Sequence, residues 1–233
     1  MSGNDIAWLV ALGAPVLCLD TCAVLDLMRD PTRDNVRSHE RAAALDLLVA
    51  AEGGSKLVAL LADQVVLELG EHMQNVEDEA REAIVKLKAQ LGRIDAVAAI
   101  YGSVGTADLR HLDDHVMRAR KIVDRWTKAV VVANQRADVP NKALIRLNSA
   151  RTPARKGKDS MKDCVVIETY LDTVRSLRGA SHTHPIVFAS SNTKDYVGEI
   201  GSALKPDLAA EFASLQMDYA PNWAAAKYQL GFR

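Results

Sequence analysis

The sequence contains little cysteine. Only three of its 233 residues are cysteines, Cys18, Cys22 and Cys164, and no two of them form a C-x-x-C motif. Three thiols cannot all pair with one another, so we expect them to be reduced and mostly packed, as is usual in the cytoplasm. The spacing also argues against a structural zinc site, because such sites need closely spaced cysteine and histidine ligands.

Long apolar runs are also missing. No segment comes near the roughly 20 apolar residues that a membrane-spanning helix needs, so we expect no membrane contact. The N-terminal segment has no basic region and carries Asp5 ahead of its apolar residues, which is unlike a secretion signal. The net charge is -1 and 48% of the residues are hydrophobic, which is ordinary for a protein with a substantial core.

Motifs of several common enzyme classes are absent. The sequence has neither the GxxxxGK[ST] phosphate loop nor the GxGxxG dinucleotide-binding turn. It also lacks the GxSxG nucleophile elbow of many hydrolases. Haloacid-dehalogenase-like phosphatases begin with a strand that ends in aspartate, but they need a second aspartate two residues later, where this chain has Cys22. We therefore set these classes aside.

Apolar runs alternate with helical patterns along the chain. This alternation indicates an α/β fold with a mostly parallel sheet. The first strand is expected at Val16–Leu19, directly before Asp20. Further strands are expected at residues 57–61 and 185–189, and a weaker one at residues 215–219.

A long helical region separates the second and third of these strands. Apolar residues recur every three or four positions over residues 76–97 and again over residues 109–130. Two such stripes joined by a glycine-containing turn predict a helical hairpin. Because strands on both sides are needed for one sheet, we interpret residues 1–233 as one domain with a helical insertion at about residues 76–150.

Oxygen-bearing side chains follow the expected strands. In an open parallel sheet, ligands bind beyond the carboxyl ends of the strands. Asp20 directly follows the first strand, and Glu68 lies on the helix after the second. Asp163 lies at the start of a later helix, on the face of its apolar stripe, while Asn192 and Asp195 follow the third strand. All five could reach the same edge of the sheet.

Each of these acids also has an ordinary structural explanation. Asp20 could be the N-cap of the next helix, and Asp163 could stand at a helix start because the helix dipole favours a carboxylate there. Glu68 could be a solvated helix residue, and Asp195 could be a turn residue. The residues by themselves leave these alternatives open.

Converging acids would need a cation. Three or four oxygen donors at one edge repel one another strongly when no positive charge lies between them. Mg²⁺ or Mn²⁺ suits such a site, because these ions are hard and octahedral and keep several waters. Ions of this kind activate water and stabilise the oxygens of a displacement at phosphorus. The acids therefore fit phosphodiester hydrolysis.

A basic segment lies between the hairpin and the later acids. Residues 136–162 carry eight Lys or Arg and only two Asp. Part of this segment has the Gly and Pro content of a loop. Clustered cations are either a solvated linker or contacts to nucleic-acid phosphates. The candidate nucleic-acid contacts are Arg151, Arg155, Lys156, Lys158 and Lys162.

Four short motifs follow one another along the chain: LDTCAVLDLM, VVLELGEH, KDCVVIETYL and VFASSNTKDY. In this order and on these elements they resemble the PIN domain nucleases, in particular the larger bacterial members with a helical insertion. The resemblance covers the chain except for the helical hairpin. It implies a three-layer PIN-like α/β fold with four to five strands. It also implies a metal-dependent ribonuclease that uses Mg²⁺ or Mn²⁺.

The resemblance assigns catalytic and metal-binding roles to particular residues. Asp20 takes the place of the first-strand acid, Glu68 that of the acid on the next helix, and Asp163 that of the helix-start aspartate. The last acid departs from the family's pattern, because no acid stands where many members have one. Asp195 is then the substitute, or Asn192 binds the metal or a water as a neutral ligand.

Neighbouring residues could assist this site. Ser190 or Ser191 could hold a metal-bound water through its hydroxyl. Lys162 stands where the family often has glycine. Its charge could lower the pKa of Asp163 or contact the scissile phosphate, and the sequence does not choose between these roles.

The interpretation that follows is hydrolysis of RNA, with a 5′-phosphate and a 3′-hydroxyl as products, as the resemblance implies. RNA is then the substrate, and an antitoxin, another protein or a second copy of the chain is a candidate partner. The missing acid near Asn192 supports an alternative in another class. In this alternative, the fold binds nucleic acid or protein without turnover.

Overall fold

The computed structural model of the protein describes residues 3–155, 157, 159–198 and 203–232. A short 3-10 turn at Arg110–Leu112 accompanies ten helices and five strands in this part of the chain. In chain order the elements are α1 (Gly3–Leu12), β1 (Val16–Leu19), α2 (Thr21–Leu25), α3 (Ser38–Glu52), β2 (Val58–Ala62), α4 (Asp63–Ile100), α5 (His115–Ala129), β3 (Val131–Ala133), α6 (Val139–Asn148), α7 (Met161–Gly179), β4 (Ile186–Ala189), α8 (Thr193–Tyr196), α9 (Pro206–Ser214), β5 (Met217–Ala220) and α10 (Trp223–Gln229).

The five strands form one all-parallel sheet in the order β3-β2-β1-β4-β5. Every residue of β1, β2 and β4 is buried. Because successive side chains of a strand point to opposite faces of a sheet, helices must cover both faces. The predicted α/β fold with a mostly parallel sheet of four to five strands is therefore confirmed.

The carboxyl ends of β1 and β4 lie side by side. Leu19 pairs with Ala189, and the backbone N–H of Asp20 donates to the Ala189 carbonyl at 3.0 Å. The chain leaves β1 toward β2 on one side of the sheet and later returns to β4 on the other. A crevice at such a switch point is the usual ligand site of open α/β sheets. Asp20 and Ser190 are the first residues beyond the two strands.

The helical hairpin is present, and one strand lies where helix was expected. α4 is 38 residues long, and it packs against α5 through Ala80, Ile84 and Val116. The insertion expected at about residues 76–150 is not wholly helical, however, because β3 pairs with β2 at the sheet edge. The residues of β3 directly follow the apolar stripe of α5, so the helical pattern conceals them.

α7 has more buried residues than any other helix in the described part of the chain, and it links the core to the crevice. It packs on β2 and β3 and against α1, α4 and α6. The Tyr170 hydroxyl donates to the Leu19 carbonyl at 2.5 Å and accepts from the Ala62 N–H at 2.9 Å. This side chain therefore ties together the carboxyl ends of β1 and β2. Asp163, two turns earlier on α7, lies on the same face of the helix.

The helices of the described residues are each too short or too polar to cross a lipid bilayer. The three cysteines are unpaired, and Cys18 and Cys164 are buried. This agrees with the expectation of reduced, packed thiols.

Candidate active site

Asp20 is the buried centre of the crevice. Its side chain is 5% exposed. Oδ1 accepts a 2.8 Å hydrogen bond from the Thr21 N–H, so the residue does cap α2. Oδ2 accepts from the Ser190 hydroxyl at 2.6 Å and from the Cys22 thiol at 3.3 Å. The same carboxylate therefore caps α2 and lies at the crevice.

The environment of Asp20 disfavours its negative charge. Burial raises the pKa of Asp20 from 3.8 to about 6, although hydrogen bonds from Ser190 and Cys22 act in the opposite direction. Repulsion from the Asp163 carboxylate adds to the rise in pKa. The two acids are therefore within electrostatic range of each other. At neutral pH the Asp20 carboxylate is ionised but poorly compensated, and a cation would stabilise it.

A cavity of about 370 Å³ brings together four of the predicted residues: Asp20, Glu68, Asp163 and Asn192. We call it the carboxylate cavity. Within it, Glu68 Oε2 accepts a 2.6 Å hydrogen bond from the Thr21 hydroxyl. Thus the N-terminal residue of α2 fixes an acid that α4 contributes. Residues from the end of β1, from α4 and α7, and from the segment after β4 meet in this cavity.

Asp195 is placed differently from the other predicted acids. It is 2% exposed and does not line the carboxylate cavity. Its Oδ1 accepts from Arg155 at 3.1 Å and its Oδ2 accepts from Asn192 Nδ2 at 2.7 Å. Lys205 donates to its backbone carbonyl at 2.8 Å. The Asp195 charge is thus compensated by a cation of the protein, while Asn192 reaches the cavity itself.

The donor set suits a hard divalent cation. The cavity offers carboxylate and amide oxygens together with one buried charge that lacks full compensation. Among the described residues, no three His, Cys, Asp or Glu side chains are close enough to enclose an ion. Mg²⁺ is commonly held by one or two protein carboxylates and keeps waters at its other positions. Asp20 and Asp163 would then hold the ion, with Glu68 and Asn192 acting through water.

Other residues of the carboxylate cavity were not assigned from the sequence. His72, Asn75 and Glu79 line it from α4, about one, two and three helical turns after Glu68. Such spacings put side chains on one helix face, so helical periodicity counted from Glu68 could have identified them. Arg29 also lines the cavity, and no local pattern marks it.

Three of the candidate nucleic-acid contacts, Arg151, Arg155 and Lys162, lie within the described residues, and each is paired with an acid. Arg155 is bound to Asp195 as stated, and the other two are also in ion pairs: Arg151 with Glu211 at 2.5 Å and Lys162 with Glu71 at 2.7 Å. Lys156 and Lys158 lie outside the described residues. A cation in an ion pair must give up its acid partner to bind a phosphate, so the net gain in binding free energy is reduced.

Arg146, from the same basic segment, is part of the core. It is 1% exposed. Its guanidinium donates to Glu168 at 2.7 Å, to the Thr152 carbonyl at 2.6 Å and to Glu211 at 2.8 Å. Burial acts to lower the pKa of Arg146, but the bonds to Glu211 and Glu168 outweigh this and hold it above its usual value. The residue therefore fastens α6 to α7 and α9.

A family model described as PIN domain matches residues 17–196. The match begins within β1, ends at α8 and includes the acids of the carboxylate cavity. No curated protein and no solved structure matches the chain.

Proposed function

Because this chain belongs to the PIN domain family, whose members are generally nucleases, we propose that it is a metal-dependent ribonuclease that hydrolyses RNA phosphodiester bonds. The observation that carries the proposal is the buried Asp20 carboxylate, which shares a cavity with Asp163 and Glu68 and has a raised pKa. A charge buried in this way is costly unless a ligand compensates it.

The residues of the carboxylate cavity have different roles in the proposed reaction. Asp20 and Asp163 would hold the divalent ion, and the Ser190 hydroxyl fixes the orientation of Asp20 through its 2.6 Å hydrogen bond. A bound Mg²⁺ or Mn²⁺ supplies a more acidic water and neutralises the charge that develops at phosphorus. Tyr170 holds the two strand ends so that the acids keep their positions.

We assign to Glu68 the role of accepting the proton of the attacking water. Its Oε2 is held by the Thr21 hydroxyl at 2.6 Å. Its Oε1 accepts only a long hydrogen bond, 3.3 Å, from Gln64 within the described chain. Oε1 is therefore the oxygen that is free to take the proton. Attack at phosphorus breaks the P–O3′ bond, and the leaving O3′ takes a proton from solvent, which gives a 5′-phosphate and a 3′-hydroxyl.

The test uses labelled single-stranded RNA with the purified protein, in Mn²⁺ or in EDTA. We expect cutting in Mn²⁺ that disappears in EDTA and in Asp20→Asn. Asp218→Asn is the matched control, because this exposed residue lies within β5 and does not line the carboxylate cavity. Cutting that persists at the wild-type rate in Asp20→Asn would show that a contaminant or another site is responsible.

The charge state of the crevice favours a second candidate, a PIN-like module that binds nucleic acid without cleaving it. Arg155 compensates Asp195, and a neutral amide, Asn192, stands in the cavity. The predicted ligand set in the cavity, Asp20, Glu68, Asp163 and Asn192, therefore has three anionic side chains and not four. RNA binding that is the same in Mn²⁺, in EDTA and in Asp20→Asn, without any cutting, would favour this candidate.

A further inference from the structure

A second cavity adjoins the carboxylate cavity at the carboxyl ends of β4 and β5. It has a volume of about 280 Å³. Its wall includes Arg29 and Arg33 from the segment after α2 and Arg41 from the first turns of α3, and we call it the arginine cavity. Ser190 and Ser191, at the end of β4, form part of the opposite wall.

The two cavities share one lining residue among those described, and a hydrogen bond also links them. Arg29 lines both of them. Ser190 lines the arginine cavity, and its hydroxyl donates to Asp20, which lines the carboxylate cavity. A polymer bound at Asp20 could therefore continue into the arginine cavity by passing Arg29 and Ser190.

The arginine cavity has more positive than negative charge. Three arginines face two acids, Asp26 and Glu40. Arg29 is paired with Asp26 at 2.8 Å. Within the described ranges, the side chains of Arg33 and Arg41 form no hydrogen bond and no ion pair. Burial lowers the pKa of Arg41, and the positive charges of Arg33 and Arg29 also act to lower it, against the opposite effect of the two acids. An anion between these guanidinium groups would relieve their repulsion.

The arginine cavity differs in its ion pairs from the basic segment at residues 136–162. The described candidate contacts of that segment, Arg151, Arg155 and Lys162, are each bound to an acid. Arg33 and Arg41 have no such ion pair to give up, within the described chain, when they meet a phosphate. A guanidinium group also matches two phosphate oxygens at once.

The remaining wall is polar and suits a nucleotide. Ser191, Thr193, Asn35 and Asn222 contribute hydroxyl and amide groups, which can bind the edges of a base or a sugar hydroxyl. The volume is near the lower end of the range for small-molecule sites. This is enough for part of one nucleotide and too little for a larger folded ligand.

We propose that the arginine cavity binds the RNA nucleotide next to the cleaved bond, with Arg33 and Arg41 contacting its phosphate. The proposal rests on the function proposed above, because it takes RNA as the ligand. It adds a strand-binding subsite on the β4 side of Asp20. Sequence selectivity at that nucleotide then depends on the serine, threonine and asparagine side chains of the wall.

The test measures binding of a short fluorescein-labelled single-stranded RNA by anisotropy, in EDTA and over a series of KCl concentrations. In Arg33→Gln/Arg41→Gln we expect affinity to fall about tenfold, with a salt dependence shallower by about 0.7 for each phosphate that no longer binds an arginine. Arg93→Gln/Arg175→Gln is the control, because both arginines are exposed and line neither cavity. The control has the same change in charge.

Wild-type affinity and salt dependence in Arg33→Gln/Arg41→Gln would overturn the proposal, as would an equal fall in the control. Arg33→Gln alone, at an exposed position, gives the same test with a smaller expected effect if the double variant does not fold. Because the measurement involves neither metal nor turnover, its outcome is independent of the cleavage test. Loss of cutting in Asp20→Asn together with unchanged binding by the arginine variants would refute this subsite alone.

Discussion

Replacing Asp20 with asparagine removes a charge from a place where the fold disfavours one. The side chain is 5% exposed, and burial raises its pKa from 3.8 to about 6. Asparagine has nearly the same shape and keeps an oxygen that can accept from Thr21 or Ser190. We therefore expect Asp20→Asn to make the metal-free protein more stable at neutral pH, although it removes the proposed central metal ligand.

The size of the effect follows from the pKa. Each pKa unit corresponds to about 1.4 kcal/mol, so the rise of Asp20 from 3.8 to about 6 corresponds to about 3 kcal/mol. The folded state holds the proton more tightly than the unfolded state. The stabilising contribution is therefore complete below about pH 3.8 and is lost as the pH rises through about 6. The wild type undergoes this loss, and Asp20→Asn does not.

The assay is urea unfolding in EDTA at about pH 3 and about pH 7.5, on either side of the range in which Asp20 changes its protonation. The advantage of Asp20→Asn over wild type should be larger at the higher pH by up to about 3 kcal/mol. Asp218→Asn, at an exposed position of β5, should show no comparable change. An Asp20→Asn difference that is equal at the two pH values would refute the reasoning.

Metal should narrow or remove this difference. A ligand that binds only the folded state stabilises it by about 2.7 kcal/mol at 100 times its dissociation constant. Wild type should therefore gain stability when Mn²⁺ replaces EDTA, and Asp20→Asn should gain much less.

Three other changes have expected outcomes. Asp163→Asn should keep or raise the melting temperature in EDTA, because it removes repulsion with Asp20; a clear fall would contradict the pairing of these acids. Arg146→Met should lower the free energy of unfolding by about 3–5 kcal/mol in urea titrations, because it leaves the Glu168 charge buried without its partner. His182 is buried, its pKa is lowered mainly by burial, and neither ring nitrogen has a partner in the described part of the chain. The contribution of His182 to stability should therefore fall as the pH drops below about 6.5, and His182→Phe should remove this contribution from the pH profile in thermal melts.

The sheet could be predicted because its central strands are continuous apolar runs. The run at Val16–Leu19 predicts a strand, and β1 lies there, since a strand buried on both faces has no polar positions. β3 could not be predicted. It has only three residues at the sheet edge, its Val132 is 39% exposed, and it follows α5 so closely that its apolar residues continue the helical stripe.

Part of the candidate site could be predicted for a similar reason. Asp20 directly follows a strand end, so the topology alone places it at the crevice, and Asp163 lies in the first turn of α7. The charge partners could not be predicted. Arg155 and Asp195 are 40 residues apart, and only the folded chain shows that this pair forms while Arg33 and Arg41 make no ion pair with a described residue.

The central claim is that Asp20, directly after β1, and Asp163, from α7, hold a divalent ion at the crevice. The most direct measurement is an anomalous difference map from a crystal soaked in Mn²⁺. We expect a peak bonded to a carboxylate oxygen of Asp20 or Asp163, with both side chains facing it. Ordered Asp20 and Asp163 side chains without a peak between them, or separated by more than about twice the span that a hydrated ion can bridge, would contradict the claim.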